Sequence, residues 1–488
     1  MRLKPLMDAD GRVLLDSDSS PVRRRAQVSN LRSHARHLRW SLIGLSLAGL
    51  GLSSLMVARG VLGTDELNLL ARGWMWVAEG QFIPYGNPMS SGGKSPGAMT
   101  TLLVGLPLMV WSDARAPVVV IFVFHVLAYL LLDRALRDVL RPVERLLLCI
   151  FYWLNPWRIY HSGFLWNPNY LFLFGAIHLW SARRLQQRGP RIWPSFVHGA
   201  ALVLAFQLHV SAALLFGASL VLYVRRYLRL QWLGLVVGLV VGALPLVPWV
   251  VEVWAHPSIA TTEHGFLGRG LLLVFPLVRG IFYLLRYASL NVGYKMSAFD
   301  FAGTLGTLSS LLVRGVFFVI TNVIGSLMVL LALLAWLRLF RWDRKRPWRC
   351  PDLSSISARA WLRGYLTSCF VGAVMIFALA PTTPMHWQGL LLFHVAVLVP
   401  VLWVGALSRS RWARPVFTAI VVLVVLDLVT TLGMTFGVPH YRCGGRLGLN
   451  LALRGDHPML HELHVVDRCP YPFNPAGGWW PDVLSAPR

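Results

Sequence analysis

Asp65 and Glu66 stand side by side just after the first long apolar run of the chain, Trp40 to Ala58. Ionisable groups at the edge of a membrane are costly unless solvated or used. A carboxylate there suits a general base working on an attacking hydroxyl; the pair also reads as two solvated loop acids. Arg72 and Lys94, the latter in Lys94-Ser95-Pro96, bring cations to the same polar stretch. Preplaced cations suit a leaving phosphate. The plainer readings are a lysine reaching to headgroups and an arginine paired with Glu79. A second group, Tyr160 to Asn169, carries His161, Asn167 and Asn169. The two amides either bond sugar hydroxyls or cap helices, and Asn167 before Pro168 suits a cap. His161, at the same level, is read as a donor to phosphate. Gln207 and His209 lie at the tip of an apolar hairpin, and His386 lies beside Trp387. Each is either a buried hydrogen-bonded group or part of the site. Trp74, Trp76, Trp387, Trp479 and Trp480 fit an interfacial belt, with sugar stacking as the alternative.

These residues need a frame. The chain has 488 residues, 56% of them hydrophobic and 14% charged. That composition points to an all-α polytopic membrane protein rather than several soluble domains. The net charge of +25 does not indicate nucleic acid. Its arginines fall in short clusters between apolar runs: 23–25, 134–145, 183–191, 225–229, 338–363 and 409–414. That is the pattern of loops kept on the cytoplasmic side.

Pinning those clusters inside orders the segments. A basic tail, 1–39, leads to a transmembrane domain over 40–433. No cleavable signal is evident, and the first run reads as a signal anchor. Segment 40–59 exits, 117–132 returns, 146–160 exits and 165–181 returns. Residues 194–224 form a hairpin, and 232–251 exits into a long outer stretch, 252–310. Segment 311–337 returns to the basic inner loop 338–363. Segments 364–380, 389–407 and 415–433 follow, then a periplasmic tail, 434–488. Residues 98–112 are apolar but short; a full crossing there would invert every later basic loop. They read as a shallow or re-entrant helix joined to the first outer loop, 60–97. The chemistry then lies on the outer face, without the paired broken helices of a transporter.

The run Thr64-Asp65-Glu66-Leu67, Ala71-Arg72, Glu79-Gly80-Gln81-Phe82-Ile83-Pro84-Tyr85-Gly86-Asn87 and Gly93-Lys94-Ser95-Pro96-Gly97 resembles the first outer loop of GT-C glycosyltransferases. It is most similar to the branch of the protein O-mannosyltransferases and the lipid A aminoarabinose transferase. That branch has an Asp-Glu pair after the first helix, then a Gly-x-x-x-Pro turn and a Lys-Pro-Pro; here one proline is Ser95. The motif covers about 35 residues, and the family plan covers most of the chain. The resemblance implies a bundle of about 10–12 helices with juxtamembrane helices on the outer face. It implies a sugar donor on a polyprenyl phosphate and an envelope glycan, lipid or protein acceptor. Asp65 would be the base, Glu66 would orient the acceptor or a metal, and Lys94 and Arg72 would meet the donor phosphate.

Many relatives carry an acid in the second outer loop, where this chain has Asn167 and Asn169. An acid pair plus amides makes a weak oxygen site, so a divalent metal stays open rather than required. Cys149 and Cys369 lie in apolar segments and Cys350 in an inner loop, and all three are expected free. Cys443 and Cys469 share the outer tail and are expected to pair, which would contribute roughly 3 kcal/mol. The expected place is a bacterial-type inner membrane, with the N-terminus cytoplasmic and the site and C-terminus outside. The alternatives are a flippase or transporter of a lipid-linked saccharide, and a non-catalytic envelope-assembly subunit.

Overall fold

The computed structural model describes residues 21–58, 64–89, 93–260, 274–292, 307–345, 347–350, 352–353, 355–380, 383–436 and 458–465. The first apolar run belongs to α1 (Pro21–Ala58), which crosses the 39/40 boundary unbroken. Next come α2 (Thr64–Glu79), a hairpin of β1 (Tyr85–Pro88) and β2 (Lys94–Pro96), and α3 (Met99–Val110). Then follow α4 (Ala116–Leu136), α5 (Pro142–Trp153), α6 (Pro156–His161) and a 3-10 turn, Asn167–Tyr170. The middle holds α7 (Leu171–Arg188), α8 (Ile192–Leu208), α9 (Ala213–Val224), α10 (Trp232–Ala243) and α11 (Val247–Ala255). After α12 (Val274–Arg286), α13 (Thr307–Phe318) continues through a π turn, Val319–Ile324, into α14 (Gly325–Arg344). The last helices are α15 (Ala358–Ala378), α16 (Phe393–Leu407), α17 (Ala413–Phe436) and α18 (Pro458–Glu462). Among the described residues, seven helices are long and apolar enough to cross a membrane. This is a helical membrane protein.

The bundle has two chemically different ends. At one, arginines pair with the few acids: Arg145 with Asp133 at 2.7 Å, Arg183 with Asp138 at 2.6 Å, and Arg225 with Asp343 at 2.7 Å. Glu144 takes both Arg359 and Arg409 there. The basic clusters from 134–145 onward thus share one end. At the other end, the Ala98 N–H donates to the Pro245 carbonyl and Asn155 Nδ2 to the Tyr287 carbonyl, at 3.0 and 2.8 Å. The C-terminal turn docks at this second end. Trp74 Nε1 donates to Glu462 at 2.6 Å, and the Ala114 N–H to the Leu463 carbonyl at 3.0 Å.

Close approach between helices rests on small residues, because lipid tails offer no hydrophobic gain for helix association. Gly234, Gly238 and Gly242 recur every fourth residue along α10 and lie against the α8 backbone at Ile192, Phe196 and Ala200. Gly217 of α9 meets Gly372 of α15 in the same way. The legs of the expected 194–224 hairpin therefore part at the tip, α8 joining α10 and α9 joining α15.

A polar chain ties five helices together inside the bundle. Ser181 Oγ meets His198 Nδ1 at 2.8 Å, and His198 Nε2 meets Ser219 Oγ at 3.0 Å. His178 joins Ser219 at 3.0 Å and Tyr365 at 2.8 Å, and Tyr365 joins His394 at 3.1 Å. The other His394 nitrogen faces the Leu391 carbonyl. With one proton per neutral group, every link of this chain is made when all donate in one direction, from Ser181 towards Leu391, the Ser181 and Ser219 protons then turning from the nearby His178 and Leu215 carbonyls. Buried polar groups are tolerated where each has its partner.

Two sequence expectations change in detail. Segment 98–112 is α3, and its 12 residues reach about 18 Å, short of the roughly 30 Å apolar core. It packs against α2, as a helix attached to the first outer loop would. Segment 146–160 is not one helix. Asn155 interrupts it and caps α6, accepting from the Trp157 N–H at 2.9 Å. Cys149, Cys350 and Cys369 are buried, and Cys149 and Cys369 are free thiols. Cys443 and Cys469 lie outside the described residues, as do Trp479 and Trp480.

Candidate functional site

Asp65 and Glu66 occupy the first turn of α2. The unpaired N–H groups of a helix start favour ionised carboxylates there. Asp65 is exposed, whereas Glu66 is buried. The hairpin folds over this helix start. Asn87 of β1 donates from Nδ2 to the Asp65 carbonyl at 3.2 Å, and Pro88 pairs with Lys94 across the ladder. Lys94 is thereby brought to the acid-bearing end of α2. Arg72, fully buried, donates to the carbonyls of Asn68 at 2.8 Å and Tyr85 at 3.2 Å. It also donates to Asn87 Oδ1 at 3.3 Å and lies over the Tyr85 ring. These bonds hold the hairpin on α2, so among the two cations Lys94 is the better phosphate contact.

The hairpin closes on the second polar group. A methyl group at Gly97 would stand 2.5 Å from Gln207 Oε1, and one at Gly86 3.4 Å from Asn167 Nδ2. Gly97 also has φ +90°, a backbone region that side chains disfavour. Thr100 Oγ1 donates to Asn167 Oδ1 at 3.5 Å. Gln207 Nε2 donates to the Gly242 carbonyl at 2.7 Å, while its buried Oε1 has no hydrogen-bond partner among the described residues. His209 caps the turn at the hairpin tip, its Nδ1 accepting from the Ser211 N–H at 3.1 Å.

Asn169 is fully occupied inside the fold. Its Nδ2 donates to the Phe164 carbonyl at 2.8 Å, which fixes the amide orientation. Its Oδ1 then accepts from His161 Nδ1 at 2.7 Å. This relay assigns the proton of neutral His161 to Nδ1 and leaves Nε2 as a lone-pair acceptor. Burial pushes His161 down to about 4, so the ring is neutral at ordinary pH. His161 Nε2 is buried and has no hydrogen-bond partner among the described residues. The ring is an acceptor here, not the phosphate donor that the sequence suggested.

Around His161 lies an aromatic wall. Trp157 and Trp166 run nearly parallel to its ring, at 6.5 and 6.3 Å. The His386 ring stands 5.8 Å away, and Trp387 packs on Trp166 at 4.8 Å. Two cations missed in the sequence border this wall. Arg286 lies over Trp157 at 5.2 Å and Tyr283 at 5.3 Å. Arg279 lies over Tyr283 at 5.8 Å and donates to its hydroxyl at 3.4 Å. Both sit on α12, whose Val274, Phe275, Val278 and Phe282 are exposed. The available signal was their place. Arginines on the outer side of a membrane run against the charge bias of loops, which makes them conspicuous.

Two polar neighbourhoods therefore meet at one end, joined by the Asn167–Tyr170 turn. One offers carboxylates and Lys94, the other aromatic faces, a lone pair and two arginines. Among the described residues, no three His, Cys, Asp or Glu side chains converge as metal ligands. Asp65 and Glu66 alone fall short of the six to eight oxygens that calcium takes. Comparisons with protein-family models, curated proteins and solved structures return no match to this chain.

Proposed function

We propose that this protein is a membrane glycosyltransferase of the GT-C type. It moves a sugar from a polyprenyl-phosphate carrier to an envelope glycan, lipid or protein acceptor. The carrying observation is that the acid-and-lysine neighbourhood of Asp65 and Lys94 and the His161 aromatic wall are linked through the Asn167–Tyr170 turn, away from the paired arginines. Asp65 takes the proton of the acceptor hydroxyl as its oxygen bonds to the anomeric carbon. The bond from that carbon to the carrier phosphate oxygen breaks, and the phosphate leaves with the electron pair towards Lys94. Arg279 and Arg286 add positive charge along the interfacial helix α12, where a lipid phosphate approaches. Trp166 and Trp387 offer faces for the sugar ring. Glu66, buried beside the base, orients the acceptor. The arginine-rich end faces the cytoplasm of an inner membrane in this reading, and the site faces out.

The test is reconstitution in proteoliposomes with a radiolabelled polyprenyl-phosphate sugar and extracted envelope acceptors. Label transferred to an acceptor supports the proposal. Movement of intact lipid between leaflets without transfer identifies a flippase instead. Neither activity points to an assembly subunit.

A further inference from the structure

The opposite end of the bundle holds a feature that sugar transfer does not use. Where α7 turns towards α8, a cavity of about 360 Å³ opens, lined by Asp138, Arg183, Gln186, Gln187, Arg229 and Ala358. Its size lies within the roughly 300–1,000 Å³ of small-molecule sites. Arg183 is only 3% exposed, yet its Nε–H is buried without a hydrogen-bond partner among the described residues. Its other donors are used: Nη2 donates to Asp138 at 2.6 Å, Nη1 donates to Gln186, and the guanidinium lies over Trp361 at 5.5 Å. An orphaned buried donor of this kind costs about 1–3 kcal/mol, more when charged.

Ala358 is the first residue of α15, a helix of 21 residues. The first N–H groups of a helix lack intrahelical partners and carry partial positive charge. Arg229 is half-exposed, and its pair with Asp352 at 3.4 Å is exposed on both sides. Such a pair contributes about 0–1 kcal/mol, so a stronger acceptor displaces it readily. Among the described lining residues Asp138 is the only acid, and it is engaged by Arg183 and by Gln187 at 2.9 Å. Two guanidinium groups, an orphaned N–H and a helix start thus meet one neutralised carboxylate.

We propose that this cavity binds a phosphate-bearing anion on the face opposite the sugar-transfer site. Phosphate oxygens take Arg229 side-on and accept from the start of α15, beside the Arg183 guanidinium. The phosphate belongs either to an anionic lipid headgroup of that leaflet or to a soluble phosphate ester.

Full-length protein in nanodiscs separates the two sources. In neutral phosphatidylcholine discs, pyrophosphate is titrated calorimetrically. In mixed discs, retained phosphatidylglycerol is counted by native mass spectrometry. Arg229→Gln is expected to weaken whichever anion binds by about tenfold or more, while Arg191→Gln, outside the lining, leaves it unchanged. Arg183→Gln should abolish binding, with its thermal midpoint recorded to separate misfolding from site loss. Pyrophosphate binding sensitive to Arg229 marks a soluble-ester site, and Arg229-dependent retention of phosphatidylglycerol alone marks a lipid site. The proposal is overturned if neither anion binds, or if Arg229→Gln and Arg191→Gln behave alike. Sugar transfer is not part of the readout, so its absence leaves this result standing.

Discussion

His161 shows how the fold turns a common residue type into a particular chemical group. The ring is held down at about 4, against an ordinary 6.5, because burial penalises its charged form. The unfolded chain takes up this proton below about pH 6.5, and the folded one does not until about 4. This contribution is therefore complete above pH 6.5, falls as pH drops through that window, and is exhausted below it. At about 1.4 kcal/mol per pH unit it amounts to about 3 kcal/mol. His161→Gln should flatten the fall of the thermal midpoint in detergent between pH 6.5 and 4; an unchanged slope contradicts the buried neutral ring. Lys94→Ala should raise the donor KM with little effect on the midpoint, and Lys94→Arg should restore part of the use. Unaltered donor kinetics in the alanine variant would reduce Lys94 to a headgroup anchor. The sequence showed these residue types but not their partners. Asn169 is consumed by Phe164 and His161, and Arg72 by the hairpin, both contacts set by backbone geometry no spacing rule reports.

Elements were legible where periodicity and caps are local. The short helix within 98–112, the basic turns and the hairpin tip at Gln207 follow from apolar runs and their interruptions, whereas the helix over Thr64–Glu79 lies in what the sequence reads as an outer loop. Pairing of helices was not legible, because α8 chooses α10 through glycines some forty residues away. The same holds for the chain from Ser181 through His198, Ser219, His178 and Tyr365 to His394, whose members are lone polar residues in separate apolar segments. Tyr365→Phe removes one link, leaving His178 Nδ1–H without an acceptor and His394 Nε2 without a donor. It should destabilise the bundle by about 1–3 kcal/mol, read as a lower thermal midpoint, with sugar transfer per folded molecule unchanged. A wild-type midpoint would mean that the chain contributes nothing to holding these helices together.

Among the described residues most of the ion-paired arginines gather at one end of the bundle, and that charge governs what this end can meet. In a background with Cys443 and Cys469 replaced by serine, His461→Cys should react with an impermeant maleimide on intact cells. Arg137→Cys, at the arginine end, should react only after lysis. The reverse pattern would turn the candidate site towards the cytoplasm. The central claim is that the outward end transfers a sugar with Asp65 as base. It is tested most directly by sugar transfer from a polyprenyl-phosphate donor with Asp65→Asn, at matched expression. Asparagine keeps the size and hydrogen bonding of the side chain but cannot accept the proton. Turnover should fall by about a hundredfold to ten-thousandfold with donor binding retained, and Glu66→Gln should lose less. Wild-type turnover in Asp65→Asn would contradict this claim.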